Sequence, residues 1–463
     1  MRIAFIFSQG IHYFYYDRVV RSLLATGHEI RIVCPANFAL DGNKSGRALA
    51  KLIEDAPSVV LEDSIPRRRY GKIAGFIRGL ANYAAFVRKE HPTPHLAVRW
   101  VRKNLPESIV TLIQNPIVLR MLATRPARLL LAVIEALIPP VPEIKTWFLE
   151  HQPEVVFASP YVFTSDVEVE YAKAARNLGI SVVAAVLSWD NLTSKGTFHV
   201  KPDWLFVWNT NLVEEAVEIH DVIRDRIFIS GAPVYDPWFE LAPSQDRNAF
   251  CKRAGIDPAK PFILYLCSSK GITEQEDQLI KGILDQMAGM ESIDRPSIVI
   301  RPHPFNPLEI SDLENEWIKV FPNGGQRPDM DDARQLYYDS LYFCDLVAGI
   351  NTTGFLEAAV VDKPCLTLVT PLTSSGQGMR AHFKHLMDAD FIEVANSYSD
   401  LVADVKRILA GSDIKKKNRQ LFVRDFIRPA GVGIPAARVT EGAILAIGFG
   451  KSPEEWHGYA HGD

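Results

Sequence analysis

Two short stretches carry the residue types best suited to hold a phosphorylated ligand. Arg301-Pro302-His303-Pro304 ends an apolar run that begins at Ser297, and Asn351-Thr352-Thr353-Gly354 ends a second run before Phe355-Leu356-Glu357. A guanidinium, an imidazole, hydroxyls and free backbone N–H groups are all donors to phosphate oxygens. A Gly/Asn/Thr turn opening a helix near Thr353 adds the helix dipole to them. Glu357, one turn further on, can face the same crevice and take a ribose. Either stretch alone also fits an ordinary strand end or strand–glycine–helix turn that binds nothing. Their position at the ends of successive predicted strands is the stronger sign, because ligands of parallel sheets gather at the carboxyl ends of the strands.

Three further turns join the list. Ser268-Ser269-Lys270-Gly271 follows the strand-like Phe262–Cys267 and offers N–H groups, hydroxyls and an ammonium to a phosphate. Ser188-Trp189-Asp190-Asn191, continuing to Lys195-Gly196, follows the buried run Ile180–Leu187. There Asp190 has the chemistry of a general base, and Lys195 that of a partner for a phosphate or a developing negative charge. The alternative is a structural Asx turn in which Asp190 caps backbone N–H groups. Gly10, at the first strand–helix turn, allows close approach to the backbone. With Trp189, Asn191 and Lys195 it makes up a second group, at the strand ends of the first domain. Ser8-Gln9-Gly10 is not a dinucleotide fingerprint.

The elements that must position these residues alternate. Arg2–Ser8 reads as a strand, Tyr13–Thr26 as a helix and His28–Cys34 as a strand, which is the opening of a doubly wound domain. The rhythm resumes at Glu154–Ser159, with a helix over Val167–Leu178 and strands at Trp204–Trp208 and Arg226–Ser230. A second α/β series starts at Phe262 and includes Cys365–Val369. Four regions follow from this: a first domain over 1–235, a linker over 236–257, a second domain over 258–430, and a last helix with a loose polar tail over 431–463. The Gly- and Asp-rich stretch Asn323–Asp332 is expected to be a mobile loop, and Thr370–Gly378 a loop over the site.

From Pro66 to Pro142 the pattern is helical and basic. Thirteen Lys/Arg stand against two Glu between 67 and 128, in a chain whose net charge is −4. Aromatic and aliphatic residues such as Phe76, Tyr83, Phe86 and Trp100 interleave the charges. That composition suits a surface for anionic lipid or an anionic acceptor. It equally suits a solvated helical insertion balanced by acidic neighbours.

At 463 residues, 47% hydrophobic and 23% charged, the chain is ordinary globular material with ample core. The net charge and the absence of any nucleic-acid motif argue against a nucleic-acid partner. Five scattered cysteines without a C-x-x-C pair read as buried thiols in a reducing compartment. No apolar run reaches spanning length. A cytoplasmic protein is expected, peripheral on the inner face of the membrane if the basic region binds lipid.

The chain resembles GT-B-fold glycosyltransferases, especially bacterial families related to CDP-glycerol glycerophosphotransferases and the Kdo and sialic acid transferases of surface polysaccharides. Gly231-Ala232-Pro233 with Asp236 looks like the hinge before their second domain. Arg301–Pro304 looks like their His-Pro motif, and Asn351-Thr352-Thr353 stands where they carry a hydroxyl pair. Glu357-Ala358-Ala359 through Lys363-Pro364 resembles their ribose-binding helix, with Asp362 in place of a usual glycine. The resemblance implies two Rossmann-like domains facing across a cleft, with the basic helical insertion in the first. It implies a nucleotide-sugar donor bound by Ser268, Ser269, Lys270, Arg301, His303, Asn351–Gly354 and Glu357. A glycan or glycolipid would accept the sugar, on the side of Gly10, Trp189, Asn191 and Lys195, without cofactor or metal. Asp190 and His303 would be the catalytic groups, Asp190 by the physical reasoning above alone. A nucleotide-sugar 2-epimerase, a glycerophosphotransferase and a non-catalytic nucleotide-sugar-binding scaffold are the alternatives.

Overall fold

The computed structural model describes residues 1–35, 46–88, 105–162, 166–269, 272, 275–304, 306, 310–327, 331–371 and 381–459. Two compact units emerge, one of residues 1–234 with 426–463, the other of residues 235–425.

The first unit is built on a seven-stranded parallel sheet. Its strands are β1 (Arg2–Phe7), β2 (Glu29–Val33), β3 (Val60–Glu62), β4 (Val155–Ser159), β5 (Ser181–Ala185), β6 (Trp204–Val207) and β7 (Ile227–Ile229). The order is β3-β2-β1-β4-β5-β6-β7, so the winding reverses between β1 and β4. Parallel strands covered on both faces need no polar side, which explains why Ile3–Phe7 and Val155–Phe157 are apolar throughout and buried. The helix Ala436–Gly448 completes this core. Ala443, Ile444 and Ile447 share a cluster with Phe5, Val155 and Phe157, and Ser22 Oγ donates to Glu441 Oε2 at 2.6 Å. The tail beyond it is not loose as far as it is described. Pro453–Gly458 forms a 3₁₀ turn behind a Ser452–Glu455 capping box, and Trp456 is buried in the same core.

The second unit carries β8 (Phe262–Leu266), β9 (Ser297–Arg301), β10 (Ile318–Val320), β11 (Leu346–Gly349), β12 (Cys365–Leu368) and β13 (Ile392–Ala395). All are parallel, in the order β10-β9-β8-β11-β12-β13, with the reversal between β8 and β11. The stretch 236–257, expected as a linker, belongs to this unit. Asp339, buried in the helix Asp331–Phe343, accepts from Ser244 N at 3.0 Å, Ser244 Oγ at 2.6 Å and Gln245 Nε2 at 3.0 Å. A polar composition read as exposure is here a set of donors for one buried carboxylate.

The basic insertion is helical where described, over Gly71–Phe86, Glu107–Ile113, Pro116–Leu122 and Arg125–Leu137. Several of its cations are spent inside the unit. Arg67 makes a two-pronged pair with Glu170, with Nε and Nη2 each 2.6 Å from a carboxylate oxygen. Arg78 reaches Glu135 at 2.7 Å, Glu170 at 2.8 Å and Asp166 at 3.1 Å, while Lys173 joins Glu135 at 3.0 Å. Arg88 donates to the carbonyl of Ile219, and Arg128 pairs with Asp221 at 3.1 Å. Tyr83 and Phe86 are likewise core residues of the insertion. Lys89, Trp100 and the other residues of 89–104 lie outside the described residues.

The aspartate that replaces glycine before Lys363 has a physical account. Asp362 sits at φ +56°, in the left-handed region that favours glycine. Its side chain offsets the strain by accepting from Arg419 Nε at 2.8 Å, and that guanidinium is buried.

Candidate functional site

In the second unit, the residues picked out by chemistry come together at the sheet's reversal. Cys267 N donates to Arg301 O at 3.1 Å, and Asn306 Nδ2 to Ser268 O at 3.1 Å, tying the ends of β8 and β9. Gly349 of β11 lies in register with Leu266 of β8, so the turn Asn351–Gly354 leaves the sheet beside them. Gly354 is compelled by this packing. A Cβ there would stand 2.3 Å from Leu266 Cδ1 and 2.7 Å from Tyr337 Oη.

Arg301, at the carboxyl end of β9, is buried, and its guanidinium lies 4.5 Å from the centre of the Tyr337 ring. Nη2 donates to Gln326 O at 3.3 Å, while Nη1 is sealed from solvent with no partner among the described residues. Glu357, in the helix Gly354–Val360, is half-buried as a residue, but its Oε2 is equally sealed and unpartnered. Burial pushes its carboxyl up to about 8, and the charge of Arg301 draws it partway back. Arg301 is itself lowered to about 10 by desolvation, which leaves it a cation. The Tyr337 hydroxyl, buried beside both, is held neutral.

His303 is half-buried, and burial together with the Arg327 charge lowers it, so the neutral imidazole is the form present near neutrality. Gly325 packs beneath it. A Cβ there would come within 2.5 Å of His303 O, so the start of the Asn323–Asp332 stretch is fixed against the His-Pro turn. Residues 328–330 of that stretch and 372–378 of the second loop are outside the described residues.

The hydroxyl turns are partly committed. Thr352 Oγ1 accepts from Gly354 N at 3.1 Å, and Asn351 is buried, while Thr353 is exposed. The N–H of Ser268 is not open to a phosphate, because it donates to both oxygens of Glu276 at 2.9 Å. That buried carboxyl also accepts from Tyr265 Oη, and burial raises it to about 7. Ser268 Oγ is buried without a partner among the described residues, and Ser269 is half-buried. Lys270 falls outside the described residues.

The remaining candidates belong to the first unit. Asp190 accepts from Ser188 Oγ and from Ser194 Oγ at 2.8 Å, and its Oδ2 is 3.1 Å from Lys195 Nζ. Asn191 is a turn residue, its Oδ1 accepting from Leu187 N at 2.6 Å and Ser188 N at 2.8 Å. Trp189 is buried, edge-on to Phe426. Asp190 therefore binds hydroxyls and an ammonium and caps no backbone N–H of the turn, so the Asx-turn alternative is not the bonding the loop shows, and it is Asn191 that ties the loop back to the end of β5. Gly10 is buried at the start of the short helix Gly10–Tyr13.

Beside Gly10 lies a group that the sequence did not single out. Ser8 follows β1, Ser8 N donates to Glu168 Oε1 at 2.8 Å, and Ser8 Oγ is 3.2 Å from His12 Nδ1. Glu168 is fully buried, with Oε2 unpartnered among the described residues, and desolvation lifts its carboxyl to about 8. His12 is buried and lowered to about 3, so its ring is neutral. The group sits where the first sheet reverses, between β1 and β4. The one available signal was a run of polar residues, Glu168, Glu170 and Lys173, in a helix whose neighbours all bury.

No family model and no curated protein matches the chain. Solved structures match its fold over nearly the whole length. It is similar to the UDP-GlcNAc 2-epimerase of Methanocaldococcus jannaschii, with a TM-score of 0.53 and 14% identity over 96% of this chain and 100% of that one. It is similar to the UDP-GlcNAc 2-epimerase of Neisseria meningitidis, solved bound to UDP-GlcNAc, with 0.54 and 11% over 96% and 100%. It is also similar to a glycosyltransferase of Rickettsia africae, with 0.52 and 10% over 96% and 98%. The fold is GT-B-like. Both sheets of this GT-B-like chain place at their reversal point a carboxyl with a buried oxygen that has no partner among the described residues, Glu168 in the first and Glu357 in the second.

Proposed function

We propose that the protein is a glycosyltransferase that binds a nucleotide-sugar donor at the carboxyl edge of the second sheet. One observation carries this reading: Arg301 Nη1 and Glu357 Oε2 are buried polar atoms that have no partner among the described residues, at a sheet reversal. Each such atom costs about 1–3 kcal/mol. Ribose hydroxyls suit the carboxyl, and phosphate oxygens suit the guanidinium. The fold's likeness to structures named for nucleotide-sugar chemistry supports the same choice.

In the transfer an acceptor hydroxyl attacks the anomeric carbon and loses its proton to a base. The bond from that carbon to the nucleotide's terminal phosphate oxygen breaks, and the electron pair leaves with the phosphate. Arg301, the neutral His303 and the hydroxyls of Thr352 and Thr353 are the donors for that charge, with Asn351 and Gly354 shaping the turn. Ser268 and Ser269 border the site. Asp190 and Glu168 are the carboxyls proposed for that proton, and a metal ion is not called upon. The acceptor is a glycan or glycolipid of surface polysaccharide synthesis, and the cytoplasm is the compartment. A CDP-linked glycerol donor is the near variant.

A 2-epimerase is the second reading, favoured by the fold's similarity to two structures of that name. It would turn over a nucleotide sugar with no acceptor present. A scaffold would bind without turnover.

The test is a melting-temperature screen with UDP, GDP, CDP, CMP and dTDP on the wild type and His303→Ala. A nucleotide at ~100 times its dissociation constant adds about 2.7 kcal/mol. One base that stabilises the wild type alone supports the site. Stabilisation by none of them overturns it. Incubating the matching nucleotide sugar alone and following its C2 configuration by NMR then separates epimerase from transferase.

A further inference from the structure

The helix Arg125–Leu137 is turned inside out. Its inward face carries Leu131 and Glu135, and Glu135 is bound to Arg78 and Lys173. Its outward face carries Leu129, Leu130, Val133 and Leu137, which share one stripe at helical spacing. The neighbouring helix Pro116–Leu122 adds Ile117 and Met121, one turn apart. These six side chains are 56 to 77% exposed. A single exposed leucine is ordinary, but an apolar stripe on two successive helices is not.

The charges beside the stripe have one sign. From 108 to 134 the chain contains no acidic residue, and its cations are Arg120, Arg125 and Arg128. Arg128 is engaged with Asp221, whereas Arg120 and Arg125 are exposed. The same insertion exposes Arg68, Arg69 and Lys72. Apolar side chains interleaved with cations and free of carboxylates are what an interfacial helix presents to a bilayer with anionic headgroups. Among the described residues no helix is long and apolar enough to cross a membrane. A second copy of the same surface would set Arg120 and Arg125 against like charges.

We infer that the outward face of Pro116–Leu122 and Arg125–Leu137 docks the protein on an anionic lipid surface. The apolar stripe enters the headgroup boundary, and Arg120 and Arg125 meet lipid phosphates. The ion pairs of Glu135 with Arg78 and Lys173 hold the helix in that orientation.

The test is vesicle flotation of the full chain on phosphatidylcholine alone and on phosphatidylcholine mixed with phosphatidylglycerol. The wild type should float with the mixed vesicles and much less with the neutral ones, and added salt should release it. Leu130→Glu with Val133→Glu should reduce binding more than ~10-fold. Arg120→Ala and Arg125→Ala should each reduce it about 5-fold. Ile117→Glu with Met121→Glu, on the other helix, repeats the first test independently, and unchanged melting temperatures confirm that the variants fold. Equal binding to both vesicles, binding to neither, or full binding by both glutamate pairs overturns the inference. So does a lipid-free wild-type dimer, by sedimentation, that the glutamate pairs dissociate.

Discussion

The Arg301 guanidinium is stacked on the Tyr337 ring, 4.5 Å from its centre, with Glu357 coupled electrostatically to both. Protonated Glu357 is the form this pocket favours when empty, because its carboxyl titrates near 8 rather than 4.5. A group raised on folding weakens the fold as pH climbs from its unfolded value to its folded one. We predict that Glu357→Gln is more stable than the wild type at pH 8, by on the order of 2 kcal/mol, and equal to it near pH 4.5. Denaturant titrations across that range check it. Above pH 8, where the wild-type carboxyl is ionised, the same variant should bind the nucleotide at least ~10-fold more weakly, through loss of a charged hydrogen-bond partner.

The two candidate bases make different demands on pH. Glu168 is lifted to about 8, so as the base it gives a rate that rises with pH until about 8. The expected result for Glu168→Gln is then a loss of kcat by ~100-fold or more with donor affinity kept. If Asp190 is the base, Asp190→Asn shows that loss and Glu168→Gln keeps its kcat. Initial rates from pH 6 to 9 on the three proteins decide between them.

Arg78 is shared by Glu135, Glu170 and Asp166 at the base of the insertion. Arg78→Ala removes one of two buried cations from each of Glu135 and Glu170, which keep Lys173 and Arg67 respectively. A destabilisation of about 3–5 kcal/mol is expected by chemical denaturation. Arg68→Ala, on an exposed side chain, should change stability by less than ~0.5 kcal/mol.

For Asp362, glycine and alanine substitutions separate backbone from side chain. Alanine keeps the φ +56° strain and loses the Arg419 bond, so about 2–3 kcal/mol should be lost. Glycine loses only the bond and should recover about 1 kcal/mol of that. Equal melting curves for the two variants would show that the strain is not stored there.

Much of the second unit's site was legible because buried parallel strands are short β-branched runs, stopped by the very glycines and prolines that shape a ligand turn. Ser297–Arg301 with His303, and Asn351–Gly354 with Glu357, could be read this way. The Arg301–Tyr337 stack could not, since no local pattern joins a strand end to the middle of a later helix. Glu168 was missed for the same reason, because its partner Ser8 lies 160 residues earlier in the sequence. Charge counting found the basic insertion but could not sort it. Arg67 and Arg78 turn inward only because Glu135, Asp166 and Glu170 arrive later in the chain. In Arg125–Leu137 the spacing marks an apolar face without saying which way it points.

The helix Ala436–Gly448 belongs to the core that β1 begins. The first unit is therefore discontinuous, and all of residues 235–425 are made before its last piece exists. During synthesis the second unit can close on its own residues as soon as they emerge. The first must wait, with Phe5 and Phe157 short of their covering helix, until Ala436–Gly448 has emerged. Order of folding thus runs against order in sequence. A premature stop after residue 425 would leave the second unit's residues complete while stripping the first of part of its core.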